Sequence, residues 1–239
     1  MPDIITSKTN SKIKYITSLH NPKYRKEHKQ FLAEGFNALT MALAADRVKD
    51  IYALHDILDL NPKINIYLVT EEIMDKISTS KSPEGIVFLC DIQEKLPKKM
   101  DKVVYLDHVS DPGNAGTIIR TALAFGYDAV VFSNDSVDIY NEKVIAATKG
   151  AIFQIPVAKK DISEIKKGHQ IISSTLSDKS VSLEDAKAQK PFILVLGNES
   201  HGVSDEIIDN SDLLVKIPIE TMESLNVSIA AGILMYHFK

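Results

Sequence analysis

From Val103 onward the chain alternates short, continuous apolar runs with amphipathic stretches. The apolar runs predict strands at 103–107, 129–133, 152–157, 170–174, 192–196 and 213–217. The stretches between them predict helices at 115–125, 140–148, 161–167, 203–209 and 224–238. Unbroken apolar strands, rather than alternating ones, belong to a parallel sheet covered on both faces. The last helix (SLNVSIAAGILMYHF) is apolar nearly all round, as expected of one buried in a core or a subunit interface.

The first hundred residues read differently. Residues 31–45 (FLAEGFNALTMALAA) carry apolar positions on one side and predict a helix. Apolar runs at Ile51–Leu54, Ile64–Val69 and Ile86–Cys90, with a helical candidate at Glu71–Ile77, complete a small α/β unit. The segment 91–102 (DIQEKLPKKMDK) is polar, charged and interrupted by Pro97. The resulting division is residues 1–92, a linker at 93–102, and a larger α/β domain at 103–239.

Composition narrows the class. With 239 residues, 44% hydrophobic and 25% charged, the chain is an ordinary globular α/β protein. No apolar run approaches the ~20 residues needed to span a bilayer, and the N-terminus lacks an apolar signal core. Cys90 is the single cysteine, in a strand pattern that predicts burial, so a disulfide framework is excluded and a cytoplasmic setting expected. The net charge of −4 conceals an asymmetry. Residues 1–30 hold seven basic side chains, Lys23, Arg25 and Lys26 among them, against Asp3 and Glu27, a net of +5. Phosphate contacts need local positive charge rather than a basic whole protein. A solvated basic face explains the same numbers equally well.

The candidate chemistry sits at three strand ends. The run Val103–Leu106 feeds Asp107-His108-Val109-Ser110-Asp111-Pro112-Gly113-Asn114, and Phe192–Leu196 feeds Gly197-Asn198-Glu199-Ser200-His201-Gly202. The third segment runs from Ile217-Pro218 through Ser224-Leu225-Asn226-Val227-Ser228. Polar turns at the carboxyl ends of buried strands are where α/β sheets place ligands. Asn114 is placed to cap helix 115–125 and Ser224 to cap the last helix. Ala115, Ile118, Ile119, Ala122 and Leu123 form the buried stripe of the first of these helices, and Arg120 falls off it. Asn226 and Ser228 are polar positions in an apolar helix, which need backbone or ligand partners. Each motif alone reads first as turn and cap chemistry. No GxGxxG, no P-loop and no metal-ligand spacing is present.

In order and at strand ends, the three motifs resemble those of the SpoU/TrmH family of RNA ribose 2′-O-methyltransferases. Asn114, Gly116 and Arg120 match the first family motif. Gly197, Glu199 and Gly202 match the second, and Pro218 with Ser224–Ser228 the third. Lys149-Gly150-Ala151 leading to Ile155-Pro156-Val157 matches an intermediate signature. The resemblance covers about residues 103–239. Residues 8–44, with Leu32-Ala33-Glu34-Gly35, look like the family's N-terminal RNA-binding domain.

The resemblance implies a SPOUT-type parallel sheet with a C-terminal trefoil knot, a rare exception to unknotted topology, beside a small N-terminal α/β RNA-binding domain. It implies a homodimer that uses S-adenosylmethionine and no metal, with ribosomal RNA as substrate ahead of transfer RNA. Thr175, Leu196, Gly197, Ile217, Leu225 and Asn226 are the implied cofactor residues. Asn114, Arg120, Glu199, Ser224 and Asn226 are the implied reaction site. Arg120, with Lys23, Arg25 and Lys26, is the expected RNA contact. Within the family the arginine activates the ribose hydroxyl, while Glu199 and Asn226 order the loops and cofactor. The segment Ile219–Glu223 departs from the family in carrying two acids and no glycine. A non-catalytic RNA-binding or ribosome-assembly factor on the same fold is the alternative, and a generic nucleotide-binding protein a third reading.

Overall fold

Seven parallel strands form the sheet that carries the three motifs. A computed structural model describes residues 4–55 and 64–239. In chain order the first elements are Ile4–Ile5 (β1), Ser11–Ser18 (α1), Pro22–His28 (α2), Gln30–Glu34 (β2), Phe36–Ala44 (α3), Val48–Ala53 (β3), Asn65–Val69 (β4), Glu71–Ile77 (α4) and Ile86–Asp91 (β5). Their sheet runs β1-β4-β3-β5-β2, with β5 antiparallel to both of its neighbours. Cys90 is fully buried on β5, and burial pushes its thiol pKa up, far from the range of a reactive thiolate.

The predicted helix 31–45 is instead a strand and a shorter helix. Gly35 adopts φ +95°, a left-handed conformation open to glycine, and so separates β2 from α3. The apolar run Phe31-Leu32-Ala33 then pairs with β5.

The remaining elements are Lys102–Leu106 (β6), Pro112–Ala124 (α5), Ala129–Phe132 (β7), Glu142–Thr148 (α6), Val157–Lys159 (β8), Gln170–Ser174 (β9), Val181–Ser182 (β10), Phe192–Leu196 (β11), Asp205–Asp209 (α7), Leu213–Lys216 (β12) and Val227–His237 (α8). The sheet order is β10-β12-β9-β11-β6-β7-β8, parallel throughout. Every side chain of β7 and β11 is buried, in keeping with two covered faces. The strand expected at 152–157 shifts to Val157–Lys159. Lys149 and Gly150, both at positive φ, lead into a single 3₁₀ turn at Ala151–Phe153. The helix expected at 161–167 shortens to one 3₁₀ turn, Ile162–Glu164, which Asp161 and Glu164 close with reciprocal caps.

Packing divides the chain into two compact units: Met1–Ile92 with Tyr140–Gln154, and Gln93–Ile139 with Ile155–Lys239. An aromatic cluster draws the distant segment into the first unit. Phe31 meets Tyr140 and Phe153 with ring centroids 4.8 and 6.1 Å apart, and Phe88 meets Phe153 at 6.0 Å. No described helix is long and apolar enough to cross a membrane.

Candidate active site

The loops that follow β6, β11 and β12 converge in the second unit because those strands are parallel and β6 and β11 are neighbours. The first loop enters α5 through Pro112. Proline suits the first helical position, where no backbone N–H partner is needed. Asp111, not Asn114, caps this helix: its carboxylate accepts from the Asn114 backbone N at 2.7 Å. Asn114 is therefore free to use its side chain elsewhere. Its Nδ2 donates to Glu199 Oε1 at 3.0 Å, and its Oδ1 accepts from Asn226 Nδ2 at 3.0 Å.

Asn226, not Ser224, caps α8. Its Oδ1 accepts from the backbone N of Ser228 at 2.9 Å and from the Ser228 hydroxyl at 2.7 Å. Asn226, Asn114 and Glu199 thus fasten the third loop, the first helix and the second loop in one chain of hydrogen bonds. Glu199 also accepts from Ser110 N, Ser110 Oγ and Asp111 N at 3.3–3.4 Å. Burial raises the Glu199 pKa, but the donors, Asn114 first, outweigh it and hold the group below its ordinary 4.5. A carboxylate with a depressed folded-state pKa stabilises the fold above its unfolded pKa and loses that contribution as pH falls through the folded value. The Glu199 clamp therefore persists at neutral pH, and Glu199 is a poor proton acceptor there.

Asn198 is the residue that the motif reading missed. Its Nδ2 donates to His108 O at 2.8 Å, its Oδ1 accepts from Ser200 N and His201 N, and its backbone exchanges two 2.9 Å bonds with Gly202. Every polar group of Asn198 thus ties the second loop to itself or to the first loop. The only sequence signal was its place between Gly197 and Glu199. Gly197 is required by close approach: a Cβ there would fall on the carbonyl carbon of Gly202 and the amide nitrogen of Val203.

Between the second and third loops lies a cleft of about 340 Å³, within the ~300–1,000 Å³ range of small-molecule sites. Its walls include Thr175, Leu196, Gly197, Ile217 and Leu225, five of the six expected cofactor residues, together with Ser224 and Lys216. Asn226 does not line it and acts instead through Asn114. The cleft joins apolar walls to backbone groups of tight loops, a lining that fits a nucleoside with a polar tail. Among the described residues no group of three or more His, Cys, Asp or Glu could hold a metal.

Two expected residues lie elsewhere. Arg120 is exposed on α5 and forms no hydrogen bond or ion pair with any described residue. Six residues separate it from Asn114, about 120° around the helix, and no hydrogen bond joins its side chain to Asn114 or Glu199. Arg25 corrects the charge count. It is 4% exposed, and its Nη1 donates to the carbonyls of Leu19 and His20 at 2.8 Å, so it ties α1 to α2 rather than facing RNA. Lys23 and Lys26 are exposed.

The profile of the SpoU rRNA Methylase family matches residues 101–236, which contain all three loops. The chain belongs to this family. The MRM3-like substrate binding domain profile matches residues 10–87 of this SpoU-family chain. Over 244 residues it is 32% identical to the 23S rRNA (guanosine(2553)-2′-O)-methyltransferase RlmP of Bacillus subtilis, with 98% of each chain covered. Among solved structures it is similar to the AdoMet-bound rRNA methyltransferase from Sinorhizobium meliloti, with a TM-score of 0.90 and 28% identity over 98% of this chain and 96% of that one. A TrmH-family RNA methyltransferase from Porphyromonas gingivalis superposes with a TM-score of 0.87 at 28% identity, covering 97% and 98%.

Proposed function

We propose that this SpoU-family enzyme methylates a ribose 2′-hydroxyl of ribosomal RNA, with S-adenosylmethionine as donor, in the cytoplasm. The observation that carries the reading is the Asn226–Asn114–Glu199 chain of hydrogen bonds, which fixes three strand-end loops around a nucleoside-sized cleft. Ribosomal RNA is favoured because the 98%-covered relative is named for that substrate. Residues 1–92 serve as the substrate-binding domain, with Lys23 and Lys26 on its RNA face. Residues 93–102 link it to the methyltransferase domain, 103–239, which the family reading threads as a trefoil knot.

When bound, the cofactor supplies a methyl group already activated on a sulfonium. The residues of the chain position and shield. Leu196, Ile217 and Leu225 exclude water from the cleft, and Thr175 borders it. Arg120 holds an RNA phosphate and orients the hydroxyl, whose proton would pass to solvent water late or in concert with transfer, S-adenosylhomocysteine being the other product. A guanidinium holds its protons too tightly to serve as a base on its own. Orientation of this kind is where a catalyst that forms no covalent intermediate gains most. Selection of a 2′-hydroxyl also separates RNA from DNA.

S-adenosylmethionine is expected to raise the melting temperature. A ligand at a hundred times its Kd stabilises the native state by about 2.7 kcal/mol, roughly 5–10 °C for a domain of this size. No shift at millimolar cofactor contradicts the reading of the cleft.

A homodimer through α8 completes this reading. Ile229, Ile233 and Tyr236, at helical spacing, leave 56%, 39% and 59% of their surface exposed on one face. A second copy on this face brings an exposed Arg120 within reach of a site it does not meet in its own chain. Light scattering of Ile229→Glu/Ile233→Glu is expected to report a monomer with little methyl transfer. A variant that remains dimeric places the interface elsewhere.

A further inference from the structure

We propose that the cationic cleft at the amino ends of β6, β9 and β11 is a second RNA-phosphate contact, separate from the methyl-transfer site. The proposal rests on the RNA reading above. Three segments meet there. Phe192 pairs with both Lys102 and Gln170 in the sheet register, the Phe192 amide donates to Asp101 O at 2.9 Å, and the His169 ring meets Met100 O at 2.9 Å. This convergence forms an open surface cleft of about 450 Å³ lined by Lys98, Lys99, Met100, Asp101, His169, Lys190 and Pro191. Segments 93–102, 166–169 and 187–191 together hold eight lysines against Glu94 and Asp101, a net of +6 in a chain of net −4.

These lysines have little to do in the fold. Lys98, Lys99 and Lys190 are exposed, and Lys99 lies 3.9 Å from Asp101 in a pair whose side chains are 88% and 51% exposed. Such a pair contributes almost nothing. Lys102 is different. Its ammonium donates to Phe125 O and lies over the Tyr127 ring, and burial, then the neighbouring Lys190, lowers its pKa against Asp128. Like charges gathered without a structural partner destabilise a surface. An arriving polyanion reverses that repulsion and releases counterions.

Position decides which part of the RNA is held. The three catalytic loops leave the carboxyl ends of the strands, and the lysines lie at the amino ends. Five residues at ~3.3 Å each separate the two by about 16 Å along the sheet. A nucleotide seated at the methyl-transfer site does not reach the lysines, so the contact is made by RNA several nucleotides away or by another helix of a folded RNA.

The test compares the full-length protein with K98Q/K99Q/K190Q for binding protein-free 23S ribosomal RNA across a KCl series. Each phosphate contact contributes about 0.7–0.9 to the slope of log K against log salt. The triple variant is expected to flatten the slope by about 2 and to weaken binding at least ~10-fold near 0.1 M KCl. Its calorimetric affinity for S-adenosylmethionine is expected to stay unchanged, as is its rate at saturating RNA. An unchanged slope and affinity overturn the proposal. If the triple variant fails to fold, K190Q alone is expected to lower the slope by about 0.7–0.9, and no change there overturns it equally. A wild-type protein that binds this RNA with the expected slope but methylates none of it would refute the functional reading and leave the contact standing.

Discussion

Replacing Gly197 by alanine is expected to weaken cofactor binding severely while leaving a folded protein. The added Cβ would overlap backbone atoms of Gly202 and Val203, which no side-chain rotation relieves. The second loop must move, and with it Asn198, Glu199 and the wall of the cleft. Overpacking of this kind costs about 1–3 kcal/mol, roughly 2–12 °C in melting temperature at this size. S-adenosylmethionine affinity is expected to fall by ~100-fold or more in calorimetry. Gly202→Ala is the informative contrast. Gly202 has φ +73° but open space around its missing Cβ, so the expected cost there is conformational, about 1–2 kcal/mol, with cofactor binding largely retained. Equal losses in the two variants would show that loop strain, not close packing, governs the cleft.

Arg120→Ala is expected to separate chemistry from binding. The side chain is exposed and bonds no described residue, so the melting temperature should stay within a degree or two. On the proposed mechanism its phosphate and hydroxyl contacts act mostly in the transition state, and losing one well-placed polar stabiliser costs ~10²–10³ in rate. Methyl transfer is therefore expected to drop by at least ~100-fold, with S-adenosylmethionine affinity nearly unchanged. In kinetic terms kcat and kcat/KM fall together. Full activity in this variant would remove Arg120 from the mechanism and send the search to Ser224 and Asn226.

Much of the parallel sheet was legible because its strands are unbroken apolar runs. Gln170–Ser174 and Phe192–Leu196 fall where the pattern places them. Residues 31–45 misled because the apolar residues of a short strand and of the helix after it, with only Glu34 and Gly35 between, together mimic one amphipathic helix. The left-handed Gly35 that divides them is visible only in the backbone. Both helix caps were misassigned by two or three residues, Asp111 for Asn114 and Asn226 for Ser224, since several polar residues in each loop have the right chemistry. The difference matters, because it is the uncommitted Asn114 that links Asn226 to Glu199. Arg25 shows the limit of counting charge: burial and two carbonyl partners are properties of packing, not of local sequence. The chain of bonds among loops more than eighty residues apart follows from strand order, which periodicity does not reveal.

The most direct test of the account follows the methyl group itself. Purified protein, radiolabelled S-adenosylmethionine and unmodified ribosomal RNA are incubated, and the RNA is then hydrolysed with alkali. A 2′-O-methyl group blocks cleavage at its own nucleotide. Label is expected in alkali-resistant dinucleotides with the wild-type protein and is expected to be lost with Arg120→Ala. Label recovered on a base, or no transfer to any RNA by a protein that binds the cofactor, would contradict it.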